Sequence, residues 1–143
     1  MIILKIHFNW DARSGEALCI IQEKDNFYYG TAICASQDKD MMNEKTGCFI
    51  AEKRAKINML KHKKEELKIE LKALKKYYYS MNKSKYFNET SYPIKRLKDH
   101  MLMIEIDIKE IKELISYEKG ILNRYIKEKD NFYQQIRNNR KKK

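Results

Sequence analysis

Residues 97–136 have the sequence LKDHMLMIEIDIKEIKELISYEKGILNRYIKEKDNFYQQI, and this stretch decides the fold. Apolar side chains recur in it at alternating spacings of three and four residues, with interruptions at Glu118 and Lys129. They are Leu97, Met101, Ile104, Ile108, Ile111, Ile115, Leu122, Tyr125, Phe132 and Ile136. An alternation kept up for about five heptads predicts a coiled-coil helix rather than an ordinary surface helix. With Ser91 as cap and Pro93 in the first turn, we expect this helix to span about 93–138.

A similar pattern precedes it and predicts a first long helix at about 44–79. Its apolar positions after Ile50 are 57, 60, 67, 71, 74 and 78, and Lys53 and Lys64 occupy two further positions of the seam. The intervening segment 80–92 is polar and short, so the two helices should be antiparallel neighbours. In that register, position i faces about position 172 − i. Residues 44–138 are therefore predicted to form a helical hairpin, followed by a basic tail at 139–143.

Both helices also carry apolar residues outside the seam. These are Ile69, Leu102, Met103, Ile106, Leu114, Ile121 and Ile126. A stripe this wide needs more partners than one helix and a small sheet supply. We therefore expect a homo-oligomer, most simply a dimer, with the alternative that the sheet covers the excess in a monomer.

The first 43 residues predict a three-stranded antiparallel meander. Apolar residues alternate from Ile2 to Trp10, and two further strands are expected at 17–22 and 27–35, with turns at 11–15 and 23–26. A sheet of this size cannot form an independent core, so one face must pack on the helices. The fold class expected is α+β, mostly α.

Charged residues are unevenly distributed along the chain. The formal net charge is +11, of which residues 1–43 contribute −2 and residues 44–143 contribute +13. A strongly basic body attracts polyanions or anionic ligands, and that attraction weakens steeply with salt. The alternative is that a lysine-rich helix is simply a well-solvated one.

Other features argue against several functional classes. The sequence has no apolar run long enough to span a membrane and no signal peptide, which predicts a cytoplasmic protein without a membrane partner. Its three cysteines match no zinc spacing, and the predicted register keeps His62 and His100 too far apart to share a metal. We found no catalytic constellation and therefore expect a protein that is not an enzyme and that has no metal or cofactor.

The start of the first helix is a candidate phosphate site. Lys45, Thr46 and Gly47 stand where the sheet hands over to the helix, and exposed N–H groups at such a point bind phosphate. Arg54 would add a charge, and Tyr28 or Tyr29 would stack on a base. The structural alternative is that Thr46 simply caps the helix.

The predicted end of the hairpin is a candidate nucleic-acid site. Aromatic rings there are interleaved with lysines, a combination suited to base stacking with phosphate contact. The candidate residues are Lys75, Lys76, Tyr79, Lys83, Lys85 and Tyr86. Alternatively, the rings close the end of the bundle with a small core of their own.

A motif spans residues 30–55. Its positions are Gly30-x-Ala32-x-Cys34, Asp38-x-Asp40 and Glu44-x-x-Gly47-Cys48-x-Ile50-Ala51-x-x-Arg54-Ala55. It resembles a segment of small accessory proteins of tailed phages and prophages of Gram-positive bacteria. The resemblance implies a phage origin, the cytoplasm of a bacterial host and a role in counter-defence. In that role the protein would be an oligomeric sponge that sequesters a nucleotide immune signal. The alternatives are a DNA- or RNA-binding protein that uses the basic hairpin, or a coiled-coil adaptor that inhibits a host defence protein.

Overall fold

A computed structural model of the protein describes residues 3–34, 43–84 and 88–141. Three strands, β1 (Leu4–Asp11), β2 (Glu16–Glu23) and β3 (Asn26–Ile33), precede two helices, α1 (Glu44–Asn82) and α2 (Tyr92–Lys141). The predicted fold class, a small antiparallel sheet followed by a helical hairpin, is confirmed. Both helices are about three residues longer than expected at their C-terminal ends. Most of the predicted basic tail is therefore the last turn of α2, where Arg140 and Lys141 suit the negative end of the helix dipole.

The strands form an antiparallel sheet in the order β1-β2-β3. The turn between β1 and β2 is closed by a hydrogen bond from the Gly15 N–H to the Asp11 carbonyl (2.8 Å). Gly15 adopts a φ of 73°, a conformation that favours glycine. The Asp11 carboxylate accepts a further bond from the Arg13 N–H (2.9 Å). The register places Phe8 beside Cys19 and Cys19 beside Gly30, so these three residues lie on one face.

That face packs on α1 and forms the core. The side chains of Ala17, Cys19, Ile21, Tyr28, Ala32, Ala51, Ala55 and Met59 are buried together. A Cβ atom at Gly30 would overlap the carbonyl oxygen of Ala51 and the backbone nitrogen of Ala55. Strand and helix backbones are therefore close enough that only glycine fits. The small residues of the motif at 30, 51 and 55 thus have a packing role.

Side chains of α1 also cover the outer edge of β3. Arg54 Nη1 donates to the Thr31 carbonyl and Asn58 Nδ2 donates to the Tyr29 carbonyl, each at 2.7 Å. The spacings match because four residues of helix rise about 6 Å and two residues of strand about 6.6 Å. One edge of the sheet is therefore hydrogen-bonded by the helix rather than by another strand.

The chain divides into two compact units. The first comprises Met1–Met59 and Ser116–Lys143. In it one interruption of each predicted seam pairs with the other, because Lys53 Nζ lies 2.7 Å from Glu118 Oε2. This is one residue from the predicted partner of position 53.

Towards the C-terminus the expectation that Phe132 belongs to the seam was wrong, because its ring is exposed. The adjacent Tyr133 is more buried.

The second unit is Leu60–Ile115. Its core contains Leu71, Ile104 and Ile108, with Leu67, Leu74 and Met101 packed against them. All six are predicted seam residues. The residues outside the seam that lie in this unit, namely Ile69, Leu102, Met103, Ile106 and Leu114, are exposed in the single chain.

Candidate functional site

The N-terminus of α1 is capped by the side chain of Asn43. Asn43 Oδ1 accepts hydrogen bonds from the N–H groups of Lys45 (2.8 Å) and Thr46 (3.3 Å), and its carbonyl accepts one from Gly47 N–H (3.0 Å). The cap is therefore Asn43, and the expectation that Thr46 has this role was wrong. The Thr46 hydroxyl instead lies 3.4 Å from that of Tyr125. A phosphate at this helix start would have to compete with these internal bonds.

Beside this helix start lies a cleft of about 210 Å³. Thr46, Gly47 and Arg54 are among its lining residues, so the structure brings these three candidates together. Lys45 is exposed and does not line the cleft. Arg54 donates through Nη1 to the Thr31 carbonyl, and no hydrogen bond from its other guanidinium N–H groups is seen within the described residues.

The tyrosines expected to stack on a base lie elsewhere. Tyr28 is buried in the core, and Tyr29 projects from the opposite face of the sheet because successive strand residues alternate. The aromatic residues that line the cleft are Trp10 and Tyr133, and the charged residues Lys129 and Asp130 line it as well. Lys129 interrupts the seam of α2. This interruption is a sequence signal that could have marked Lys129 as a candidate site residue. No local sequence pattern, however, indicates that Lys129 lies beside the sheet.

In the second unit, the chain between Lys72 and Lys98 forms what we call the tip. Tyr77, Tyr79 and Tyr92 are between 59% and 70% exposed there. Tyr78 is half-buried instead, and its hydroxyl donates to Glu89 (3.3 Å). The expectation that rings close the end of the bundle thus suits Tyr78 alone among these four. Three large aromatic surfaces are left to solvent.

The tip is also the most basic part of the chain. Residues 72–98 contain eight basic residues and one acidic residue, a net charge of +7 within a chain of +11. The single acid, Glu89, is bound to Lys98 at 2.7 Å, which lowers the pKa of the carboxyl group and raises that of the amine. Lys75 lies 3.4 Å from Glu105, and Lys76 and Lys83 are exposed. The candidates Lys85 and Tyr86 lie outside the described residues.

Cysteines and histidines do not assemble a reactive centre in the part of the chain that is described. Burial raises the pKa of the Cys19 thiol to about 11 and also raises that of Cys48, which keeps both thiols protonated near neutral pH. Within the described ranges, no group of three or more potential ligands is arranged to hold a metal ion. Among the same residues, no helix combines the length and the hydropathy needed to cross a membrane.

Comparison with known proteins adds no relative to this picture. No family model matches the chain, and neither a curated protein nor a solved structure was found to match it. The candidate sites are therefore the cleft of the first unit and the tip of the second.

Proposed function

We propose that the protein binds single-stranded nucleic acid through the tip. The observation that supports this most strongly is the exposure of Tyr77, Tyr79 and Tyr92 within a segment of net charge +7. Every base has a π-face that stacks on an aromatic ring, and lysines beside the rings contact the phosphates. The proposed binding is therefore electrostatic and largely independent of base sequence.

The exposure of these aromatic rings is unfavourable for the stability of the fold, which suggests that the rings serve binding. Water-exposed aromatic surface forgoes about 25 cal/mol per Å² of hydrophobic stabilisation, although Ile94 in the same segment is buried. Cations already lie near two of the tip's rings. The Arg96 guanidinium is 5.8 Å from the Tyr92 ring, and Lys98 Nζ is 5.7 Å from the Tyr78 ring. Such rings and cations together suit a ligand that is both aromatic and anionic.

The helix geometry indicates how a strand would be held. Tyr77 and Tyr79 are two residues apart on α1, which separates their directions by about 200°. They therefore flank Tyr78 on opposite sides of the helix. A flexible single strand can bend around the tip and use both rings, whereas a stiff duplex cannot. This favours single strands of about 4–16 nucleotides, the range typical of such sites.

Fluorescence anisotropy with labelled single-stranded DNA and RNA tests the rings. Tyr77→Ala and Tyr79→Ala should each weaken binding by about fivefold or more, since a stacked base contributes about 1–3 kcal/mol. Tyr117→Ala is the matched control, because Tyr117 is equally exposed (62%) but lies outside the tip. Equal losses in all three variants, or binding too weak to measure at low salt, would refute the proposal.

The lysines are tested by the salt dependence of the same binding. Lys76→Gln and Lys83→Gln should each reduce the slope of log affinity against log salt by about 0.7, the value for one phosphate contact on a single strand. Lys109→Gln removes an equal charge from an exposed position of α2 outside the tip and should leave the slope nearly unchanged. A slope that changes equally in all three variants would indicate a diffuse charge effect rather than a site.

The cleft supports a second candidate function, the sequestering of a phosphate-bearing small molecule such as a nucleotide signal. It combines Arg54 and Lys129 with the rings of Trp10 and Tyr133 in about 210 Å³. Calorimetry with cyclic nucleotides and ADP-ribose derivatives tests it. Lys129→Gln should abolish any heat of binding and Lys127→Gln, on the exposed side of α2, should not. Absence of heat with the whole panel would exclude this function.

A further inference from the structure

The two edges of the sheet differ in whether their outer backbone groups are hydrogen-bonded. Arg54 and Asn58 hydrogen-bond the outer carbonyls of β3, which blocks that edge to another strand. β1 forms the opposite edge, and within the described residues no strand or helix side chain is seen to bond to its outer side. An eight-residue edge strand presents a row of N–H and C=O groups that another strand can pair with.

β1 also exposes apolar side chains beside this edge. Ile6 and Phe8 lie on the core-facing side of the sheet, opposite the buried Ile21 and Cys19. They are nevertheless exposed (39% and 49%), because α1 packs over β2 and β3. Leu4 continues the row and is also exposed. Adding a strand at this edge would extend both the hydrogen-bond ladder and the apolar surface.

We propose that the partner is a second copy of this chain, whose β1 pairs antiparallel with β1 about a two-fold axis at Phe8. The result is a continuous six-stranded sheet. In this register Phe8 faces Phe8, Ile6 faces Trp10 and Lys5 faces Asp11 on both sides of the axis. Lys5 and Asp11 are the residues of β1 that carry a full charge at neutral pH, so the strand is its own electrostatic complement.

Neighbouring registers lose this complementarity. An axis at His7 sets two histidines side by side and leaves Asp11 beyond the paired residues. An axis at Ile6 sets Lys5 against His7, and an axis at Asn9 leaves Lys5 beyond the paired residues. Axes between residues are excluded because residues that face each other across an antiparallel pair must lie on the same side of the sheet.

The structure also favours a second copy over an open chain of copies. Pairing of β1 with β1 uses one edge from each sheet, and the remaining edges are the β3 edges that α1 already covers. Assembly by this route therefore closes at two subunits with two-fold symmetry. The exposed apolar residues of α2 do not define a dimer in this way, since a helix surface provides no free backbone groups that would fix a register.

The subunit mass of the whole chain, measured by light scattering and sedimentation over a concentration series, tests the dimer. Phe8→Lys places two like charges at the axis and should raise the dimer dissociation constant by about tenfold or more. Ile106→Lys is the matched control, since Ile106 is similarly exposed on α2. A monomer at every concentration overturns the proposal, as does a dimer that Ile106→Lys disrupts and Phe8→Lys does not. Circular dichroism confirms that each variant is folded.

The register has its own test. Lys5→Asp and Asp11→Lys should each weaken the homodimer, whereas a mixture of the two variants should form a heterodimer visible by native mass spectrometry. Lys61→Asp, an equal charge change on the exposed side of α1, should leave the homodimer intact. If the mixture shows no preference for the heterodimer, the axis at Phe8 is wrong. If Asp11→Lys does not fold, loss of the dimer in Lys5→Asp but not in Lys61→Asp remains the deciding comparison.

Discussion

The ion pair of Lys53 and Glu118 allows a stringent test of how α1 and α2 pack in the first unit. Both residues occupy positions where the heptad pattern calls for an apolar side chain. Lys53 Nζ lies 2.7 Å from Glu118 Oε2, and the two side chains are only 15% and 17% exposed. Replacing one partner leaves the other charge in a largely dry seam without this counter-charge.

The expected loss follows from this burial. Breaking a fully buried pair costs about 3–5 kcal/mol and a surface pair about 0–1 kcal/mol. A pair that is about five-sixths buried should lie between these limits, so we expect Glu118→Leu to lower the free energy of unfolding by about 2 kcal/mol. The double variant Lys53→Met with Glu118→Leu restores an apolar seam. It should return to within about 1 kcal/mol of the parent, because hydrophobic pairs replace buried ion pairs at little cost.

Equilibrium urea unfolding, followed by circular dichroism at 222 nm, measures these differences. Glu105→Leu is the control, because its pair with Lys75 is 3.4 Å long with both side chains nearly half-exposed, and the expected loss is below about 1 kcal/mol. The reasoning is refuted if Glu118→Leu and Glu105→Leu are equally mild. It is equally refuted if the double variant is as unstable as the single one.

Three further predictions concern the sheet and its helix. Gly30→Ala should cost about 2 kcal/mol or more, because its Cβ would overlap the α1 backbone, whereas Gly120→Ala, with open space around it, should stabilise by up to about 1 kcal/mol in the same urea titrations. Asn43→Ala should cost about 1 kcal/mol through loss of the cap, seen as a lower urea midpoint with an unchanged slope. Burial raises the pKa of Cys19 from an ordinary 9.0 to about 11, so the unfolded chain loses this proton first and stability should fall as pH rises from 9 to 11. Cys19→Ala should flatten that pH dependence; an identical decline in both proteins would contradict it.

The periodic patterns of the sequence were sufficient to predict the elements. Alternation at period two marks β1, and the 3/4 alternation marks α2, because side-chain direction repeats with the local backbone geometry of each element. The register predicted from the short segment between the helices lies within one residue of the observed contact between Lys53 and Glu118. The same patterns define the ends of an element less sharply, and α2 continues past the predicted residue 138 to Lys141.

The candidate sites were predicted less completely. The sequence marked the aromatic and basic character of the tip, but it left open whether the rings would face inwards or outwards. The structure exposes Tyr77, Tyr79 and Tyr92 and engages Tyr78. For the cleft, the sequence proposed Tyr28, which the alternation of β3 turns into the core, and it missed Tyr133 at the far end of the chain.

What the sequence by itself determined is therefore the kind, order and approximate length of the elements, because these depend on residues a few positions apart. What the tertiary structure alone decided is which groups from distant parts of the chain meet. Asn43 rather than Thr46 caps α1, Gly30 touches Ala51 and Ala55, and α1 blocks the edge of β3, whereas no strand among the described residues pairs with the outer edge of β1. These outcomes depend on the separation and rotation of packed backbones, which are set by the whole core and have no local signature in the chain.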